Sequence, residues 1–234
     1  MRPRVLLDGG TAYSKLRHIE TGNCEILPNR ALKAVIHRYQ VEAATGHNAS
    51  RFSPRVLNEL LALAYGGLEL VDRQDFVMVD CGARDIKLVR VEGRRVEEMN
   101  WNTECGAFCG QTVELLLGHF GLQSEAILPS KKPLAVTCGV LGMTQLFDLI
   151  AADVSPEEAL ARFVRGVAEN IHRFAGRPDR LYLSGGLCEN RLFMGSLDCE
   201  VIPLGRFVLV EGLRAELARA GPGLNAGGSD GPTD

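Results

Sequence analysis

The chain has 234 residues, 46% of them hydrophobic and 24% charged, a balance that suits one large globular domain or two smaller lobes. Its 26 Lys and Arg against 29 Asp and Glu leave a net charge of -3 with no strong basic run, which excludes the electrostatic footprint of a nucleic-acid binder. No stretch approaches the ~20 apolar residues of a membrane span and no basic-then-apolar leader opens the chain, so a soluble, cytoplasmic protein is expected.

Taken in order, residues 4–8 read as a short buried strand running into Asp8, Gly9, Gly10 and Thr11. Residues 14–27 read as a hairpin turning at Thr21-Gly22-Asn23, and Val35-Ile36 with Val41 to Ala44 allow a further strand ending at Thr45-Gly46. Ser53-Pro54 opens a predicted amphipathic helix, with Val56, Leu57, Leu60, Leu61 and Leu63 on its inner side and Gly66-Gly67 stopping it. Residues 76–80 form an apolar strand that delivers Asp80-Cys81-Gly82, and 86–91 and 95–99 are strands joined at Glu92-Gly93. Residues 107–120 read as a helix. The helical region from 140 to 175 breaks at Asp153 to Pro156, where Ser155 caps the second part and Pro156 takes its first turn. Leu181-Tyr182-Leu183 is a strand ending at Ser184-Gly185-Gly186, and 206–219 is the closing helix. From Gly221 onward the apolar content is too low to pack. The expected division is a first lobe over 1–75, a second over 76–220 and a disordered tail over 221–234.

Seven cysteines without an export signal argue against a disulfide framework. Cys24, Cys188 and Cys199 read as small buried hydrophobes. Cys105, Cys109 and Cys138 differ, because each stands beside glycine where a helix begins. The five histidines show no metal-ligand spacing, and no P-loop, Gly-x-Ser-x-Gly elbow or His-Glu-x-x-His segment is present.

Three glycine turns at strand ends, Asp8 to Thr11, Asp80 to Ala83 and Ser184 to Gly186, resemble in their order the two phosphate motifs and the adenosine motif of the actin/sugar kinase/heat-shock-protein ATPase superfamily. The resemblance implies an α/β, two-lobed actin-like (ribonuclease H-like) fold with a nucleotide cleft between the lobes. Glycine amides there approach phosphates closely, and aspartates hold Mg²⁺ or orient the attacking water.

Over nearly the whole length to about residue 217, the chain is similar to the activators (ATP-dependent reductases) of 2-hydroxyacyl-CoA dehydratases and to the related ATPase subunits of benzoyl-CoA reductase. Their D-x-G-S-T-x-S-K resembles Asp8-Gly9-Gly10-Thr11-Ala12-Tyr13-Ser14-Lys15, and T-G-Y-G-R resembles Thr45-Gly46-His47-Asn48-Ala49. D-I-G-G-Q-D-x-K resembles Asp80-Cys81-Gly82-Ala83-Arg84-Asp85-Ile86-Lys87. M-N-D-K-C-A-A-G-T-G resembles Met99-Asn100 followed by Cys105 to Gly110, C-T-V-F resembles Cys138 to Leu141, and G-G-V-A-x-N resembles Gly185 to Asn190.

This resemblance implies ATP or ADP with Mg²⁺, the aspartates Asp8 and Asp80 acting at the phosphates, and nucleotide contacts from Gly10, Thr11, Ser14, Lys15, Gly82, Asp85, Gly185, Gly186 and Asn190. It further implies a homodimer with one 4Fe–4S cluster held by Cys105 and Cys138 of each copy, and a larger iron–sulfur reductase or dehydratase as the partner that receives the electron. Four thiolates complete such a cluster, and a two-fold axis turns two per chain into four. Cys109, on the same helix face as Cys105, takes a packing role or a place near the cluster. Arg84 stands where the family carries Gln, Ala83 replaces the second glycine, and Phe108-Cys109-Gly110 replaces Gly-Thr-Gly, so nucleotide binding is more strongly encoded than hydrolysis. The alternative is a non-redox or degenerate nucleotide-binding protein, or a small-molecule kinase, of the same fold, although a kinase normally needs a larger substrate lobe.

Overall fold

Apolar residues at Val5, Leu6 and Leu7, all at most 1% exposed, make the first strand a central one, covered on both faces. In the computed structural model, which describes residues 2–102, 109–136 and 139–220, this strand is β1 (Arg4–Gly9). It pairs antiparallel with β2 (Tyr13–His18), which pairs in turn with β3 (Cys24–Pro28), and parallel with β4 (Gln40–Gly46) on its other side. The sheet order is β3-β2-β1-β4, with helix α1 (Asn29–Val35) in the crossover from β3 to β4. Leu32 of α1 fills a core made with Val5, Leu7, Leu16, Ala44 and Ala49.

The second sheet repeats this plan. Strand β5 (Phe76–Cys81), buried along its whole length, pairs antiparallel with β6 (Ile86–Glu92) and parallel with β8 (Arg180–Ser184). Strand β7 (Arg95–Asn102) extends one edge and β9 (Glu200–Gly205) the other, giving the order β7-β6-β5-β8-β9. The crossover carries three helices, α3 (Cys109–Phe120), α4 (Gly139–Ala151) and α5 (Pro156–Phe174). Along α5, Leu160, Phe163, Val164, Val167 and Ile171 recur at three- and four-residue spacing and are each at most 1% exposed, which buries the helix in the second core.

Contacts divide the described residues into two units, 2–69 with 209–220, and those within 70–208. Helix α7 (Val208–Ala220), at the end of the expected second lobe, thus has its contacts in the first unit. It lies so close to α2 (Glu59–Leu70) that a Cβ on Gly212 would overlap the Ala62 carbonyl. Ion pairs from Glu211 to Arg17 (2.9 Å) and from Arg214 to Glu69 (2.7 Å) tie it to β2 and α2.

Local readings failed where tertiary contacts outweighed sequence cues. Val35-Ile36, expected in a strand, form the end of α1 and a 3₁₀ turn. Helix α2 starts at Glu59, after Asn58 whose side chain accepts from the Leu60 amide (2.8 Å), and the segment expected to open it instead bridges β4 through Val56. Gly66 and Gly67 do not stop this helix; both are buried within it. Strand β9 and the short helix α6 (Arg191–Gly195) had no strong periodic signal. The expected tail, 221–234, lies outside the described residues. No helix among the described residues is long and apolar enough to cross a membrane.

The start of α5 matches its reading: Ser155 is the N-cap and accepts from the Glu158 amide at 3.3 Å, with Pro156 in the first turn. Replacing Ser155 by Ala removes that bond, so Ser155→Ala should lower the unfolding free energy by about 1 kcal/mol in urea titration. A Ser155→Asp variant should recover most of the loss.

Candidate functional site

The penultimate residue of each central strand is a buried carboxylate. Asp8, at the end of β1, is 3% exposed, and Asp80, at the end of β5, is 6% exposed. A buried carboxylate is costly unless paired and hydrogen-bonded, so its neighbours are constrained.

In the first unit, sheet register sets Lys15 of β2 on one side of Asp8 and Thr45 of β4 on the other. The Lys15 ammonium meets Asp8 Oδ2 at 2.8 Å. The Gly10–Thr11 turn is held by Asn29, whose amide nitrogen donates to the Gly10 carbonyl (2.9 Å) and the Thr11 carbonyl (2.7 Å). Asn29 Oδ1 in turn accepts from the Ser14 hydroxyl (2.7 Å). Ser14 therefore acts on the turn through Asn29. A Cβ on Gly10 would stand 2.6 Å from the Tyr13 carbonyl oxygen, so the turn closes only on glycine.

The second unit carries the same constellation. Register sets Lys87 of β6 and Ser184 of β8 on either side of Asp80. The Ser184 hydroxyl donates to Asp80 Oδ1 at 2.7 Å, and Lys87 Nζ stands 3.8 Å from Oδ2 while lying 5.0 Å from the centre of the Trp101 ring. Asp85 is gripped at both oxygens by Arg84, at 2.9 Å and 3.1 Å, and the Gly82 amide closes the turn on the Asp85 carbonyl at 3.0 Å. Helix α3 begins against this turn: the Gln111 amide donates to the Ala83 carbonyl (3.0 Å), and a side chain on Gly110 would overlap the Gly82 carbonyl.

The correspondence extends to the next residue. Thr45 and Ser184 are each followed by a glycine in the left-handed region, Gly46 at φ 100° and Gly185 at φ 84°. A Cβ on Gly46 would come within 2.5 Å of the Gly9 carbonyl oxygen, and one on Gly185 within 2.6 Å of the Cys81 carbonyl carbon. Each half thus presents aspartate, lysine, hydroxyl and close-packed glycine at equivalent places. Gly186 has open space where a side chain would go. The Asn190 side chain caps α6, accepting from the Phe193 amide at 2.8 Å.

Of the sequence-predicted residues, Asp8, Gly10, Thr11, Ser14 and Lys15 gather at the first turn, and Asp80, Gly82 and Asp85 at the second. Lys87, Asn29, Thr45 and Ser184 went unassigned. Lys87 was legible as the repeat of a seven-residue Asp-to-Lys spacing; Asn29 had no such cue. Carboxylate oxygens suit a hard cation such as Mg²⁺, and Gly186 has open space where a side chain would stand, so this donor set fits a nucleotide with its metal.

Cys105 and Cys138 lie outside the described residues, as does the side chain of Cys109. The described residues flanking them, Asn102 and Val136, line one cavity of about 710 Å³ in the second unit. Among the described residues no group of three or more His, Cys, Asp or Glu is placed to hold a metal. Cys188 is buried and its thiol is pushed up to about 11 by burial and by Glu189, and burial also raises the half-buried Cys199. Cys24, expected among the buried hydrophobes, is exposed at the start of edge strand β3.

No protein-family model matches the chain. The (R)-2-hydroxyglutaryl-CoA dehydratase activating ATPase of Acidaminococcus fermentans is 21% identical over 184 residues, covering 74% of this chain and 70% of that protein. The crystal structure of (R)-2-hydroxyglutaryl-CoA dehydratase component A from the same organism superposes with a TM-score of 0.75 at 17% identity, covering 94% of this chain and 99% of the other. The activator of the 2-hydroxyisocaproyl-CoA dehydratase from Clostridium difficile, solved with bound ADPNP, gives 0.72 at 17% identity, covering 96% and 100%. The chain has the actin-like ATPase fold, and its relatives in sequence and structure include activators of 2-hydroxyacyl-CoA dehydratases.

Proposed function

We propose that this protein is a nucleotide-dependent activator that donates electrons to a larger iron–sulfur enzyme of the 2-hydroxyacyl-CoA dehydratase or related reductase class. The observation that carries the reading is the duplicated site: two strand-end aspartates, each flanked by a lysine, a hydroxyl and a glycine that only a bare backbone can satisfy. Its likeness to an activating ATPase supports the activator role. The phosphates of ATP or ADP are taken by Gly10, Thr11 and Gly82 with Lys15, the adenosine lies near Gly185-Gly186, and Asp8 or Asp80 holds Mg²⁺ through water. Asp85 at the second turn and Asn190 at the start of α6 complete the proposed nucleotide contacts.

In this reading Cys105 and Cys138 of two copies hold one 4Fe–4S cluster, which supplies the one-electron chemistry. The flanking residues Asn102 and Val136 lining one cavity support bringing the two cysteine segments together. The exposed apolar residues Leu115 on α3 and Val140, Leu141 and Phe147 on α4 supply a face for the second copy. The ring of Phe147 packs 5.9 Å from that of Phe120, so α3 and α4 present it jointly.

Anaerobically purified protein should contain iron and sulfide and bind MgADP in calorimetry, and Asp80→Asn should weaken that binding at least tenfold. A folded sample with no affinity for MgATP or MgADP would remove the reading. Cys105→Ser and Cys138→Ser should each abolish the visible iron–sulfur absorption and shift sedimentation from dimer toward monomer, while Cys24→Ser and Cys199→Ser leave the colour unchanged. A colourless wild-type monomer overturns the redox role and leaves the nucleotide-binding alternative. That second reading has its own support, because Arg84 occupies both oxygens of Asp85. Arg84→Gln should raise phosphate release at least about tenfold over wild type if the arginine suppresses water positioning; an unchanged rate would assign the slow step elsewhere.

A further inference from the structure

Thr45 is 0% exposed, and its hydroxyl oxygen has no hydrogen-bond partner among the described residues. A buried hydroxyl left unbonded loses its hydration without return, and valine would fill the same volume without that loss. The β1–β4 register sets Thr45 beside Asp8, and paired residues on neighbouring strands project to the same face of a sheet. The Thr45 side chain is therefore beside Asp8, and its oxygen is not bonded to the carboxylate.

The second unit shows the complementary arrangement. There Ser184, the counterpart of Thr45, donates to Asp80 at 2.7 Å, and Lys87, the counterpart of Lys15, stands off at 3.8 Å. In the first unit Lys15 is close at 2.8 Å and the hydroxyl is idle. The two halves weight the same two partners differently: the ammonium is the close one at Asp8, and the hydroxyl is the close one at Asp80.

We infer that Thr45 is a positioning residue for Asp8, whose hydroxyl bonds the carboxylate when Lys15 turns to an anionic ligand at the Gly10–Thr11 turn. This rests on the nucleotide reading of the same site. Departure of Lys15 would otherwise leave a buried charge unpaired; a charge-assisted O–H···O⁻ bond from Thr45 replaces it and keeps one Asp8 oxygen fixed in orientation while the other faces the ligand. Lys15 is thereby released to the phosphates at reduced cost.

A double-mutant cycle on the ligand-free protein isolates the exchange from ligand binding. Thr45→Val alone should leave the melting temperature unchanged or raise it, because it removes an unbonded hydroxyl. In a Lys15→Met background, where Asp8 has lost its ammonium, Thr45→Val should lower the melting temperature by about 3 °C or more. Equal effects in the two backgrounds overturn the inference. Should Lys15→Met not fold, Lys15→Gln serves the same cycle. Calorimetry then supplies the second arm: Thr45→Val should bind MgADP about tenfold more weakly than wild type, and Thr45→Ser, which keeps the hydroxyl, within about twofold. Wild-type affinity in Thr45→Val overturns the role in ligand binding. Coupling in the stability cycle without any nucleotide affinity in the wild type would keep the exchange and overturn the nucleotide reading instead.

Discussion

A carboxylate at the buried end of a central strand is the constraint on which both halves of this molecule depend. Its effective desolvation penalty is several kcal/mol unless charge and hydrogen bonds are supplied locally. With Asp8 at 3% and Asp80 at 6% exposure, water can supply little of that compensation. Adjacent strands must provide it, and their registers place a lysine on one side and a hydroxyl on the other in both cases. The left-handed glycines follow from the same geometry. The strand carrying the hydroxyl turns away against the backbone just past the aspartate, where no Cβ fits. Substitutions at Gly46 or Gly185 therefore act on the carboxylates without touching them.

The repeated topology explains why unlike sequences serve equivalent roles. In each unit the aspartate-bearing strand has an antiparallel hairpin partner and a parallel neighbour reached by a helical crossover, α1 in the first and α3 to α5 in the second. A short crossover suffices to cover one face of a four-stranded sheet, and the longer one builds the larger core around α5. The extra length also carries the two segments that contain Cys105 and Cys138. Elaboration of one half thus leaves the aspartate, lysine, hydroxyl and glycine frame unchanged.

The fold and the two turns were legible because a strand-end Asp followed within two residues by Gly, and apolar runs such as 5–7 and 76–79, are local signals. What was hidden depends on pairing. Asn29 carries no local cue, and only the closed hairpin brings its amide to the Gly10 and Thr11 carbonyls. Gly66-Gly67 read as a stop, yet both are buried within α2, whose packing outweighs their low helix propensity. Val56 reads as a helix face and instead extends the sheet beside Ala44. Thr45 and Ser184 are unremarkable hydroxyls until the parallel registers set each against its aspartate.

The two halves are equivalent in plan and unequal in detail. Lys15 spends its charge on Asp8 at contact distance, whereas Lys87 is 3.8 Å from Asp80 and also lies over the Trp101 ring. An ammonium over an indole face is stabilised by the ring quadrupole. Asp80 tolerates the looser contact because Ser184 supplies a short hydrogen bond. Trp101 is also the penultimate residue of β7, the strand that precedes Cys105 in the sequence. A change in the position of Lys87 is therefore felt at the second turn, through Asp80, and at the end of β7, through Trp101. That shared cation links the carboxylate site to the end of β7, the strand that precedes Cys105 in the sequence.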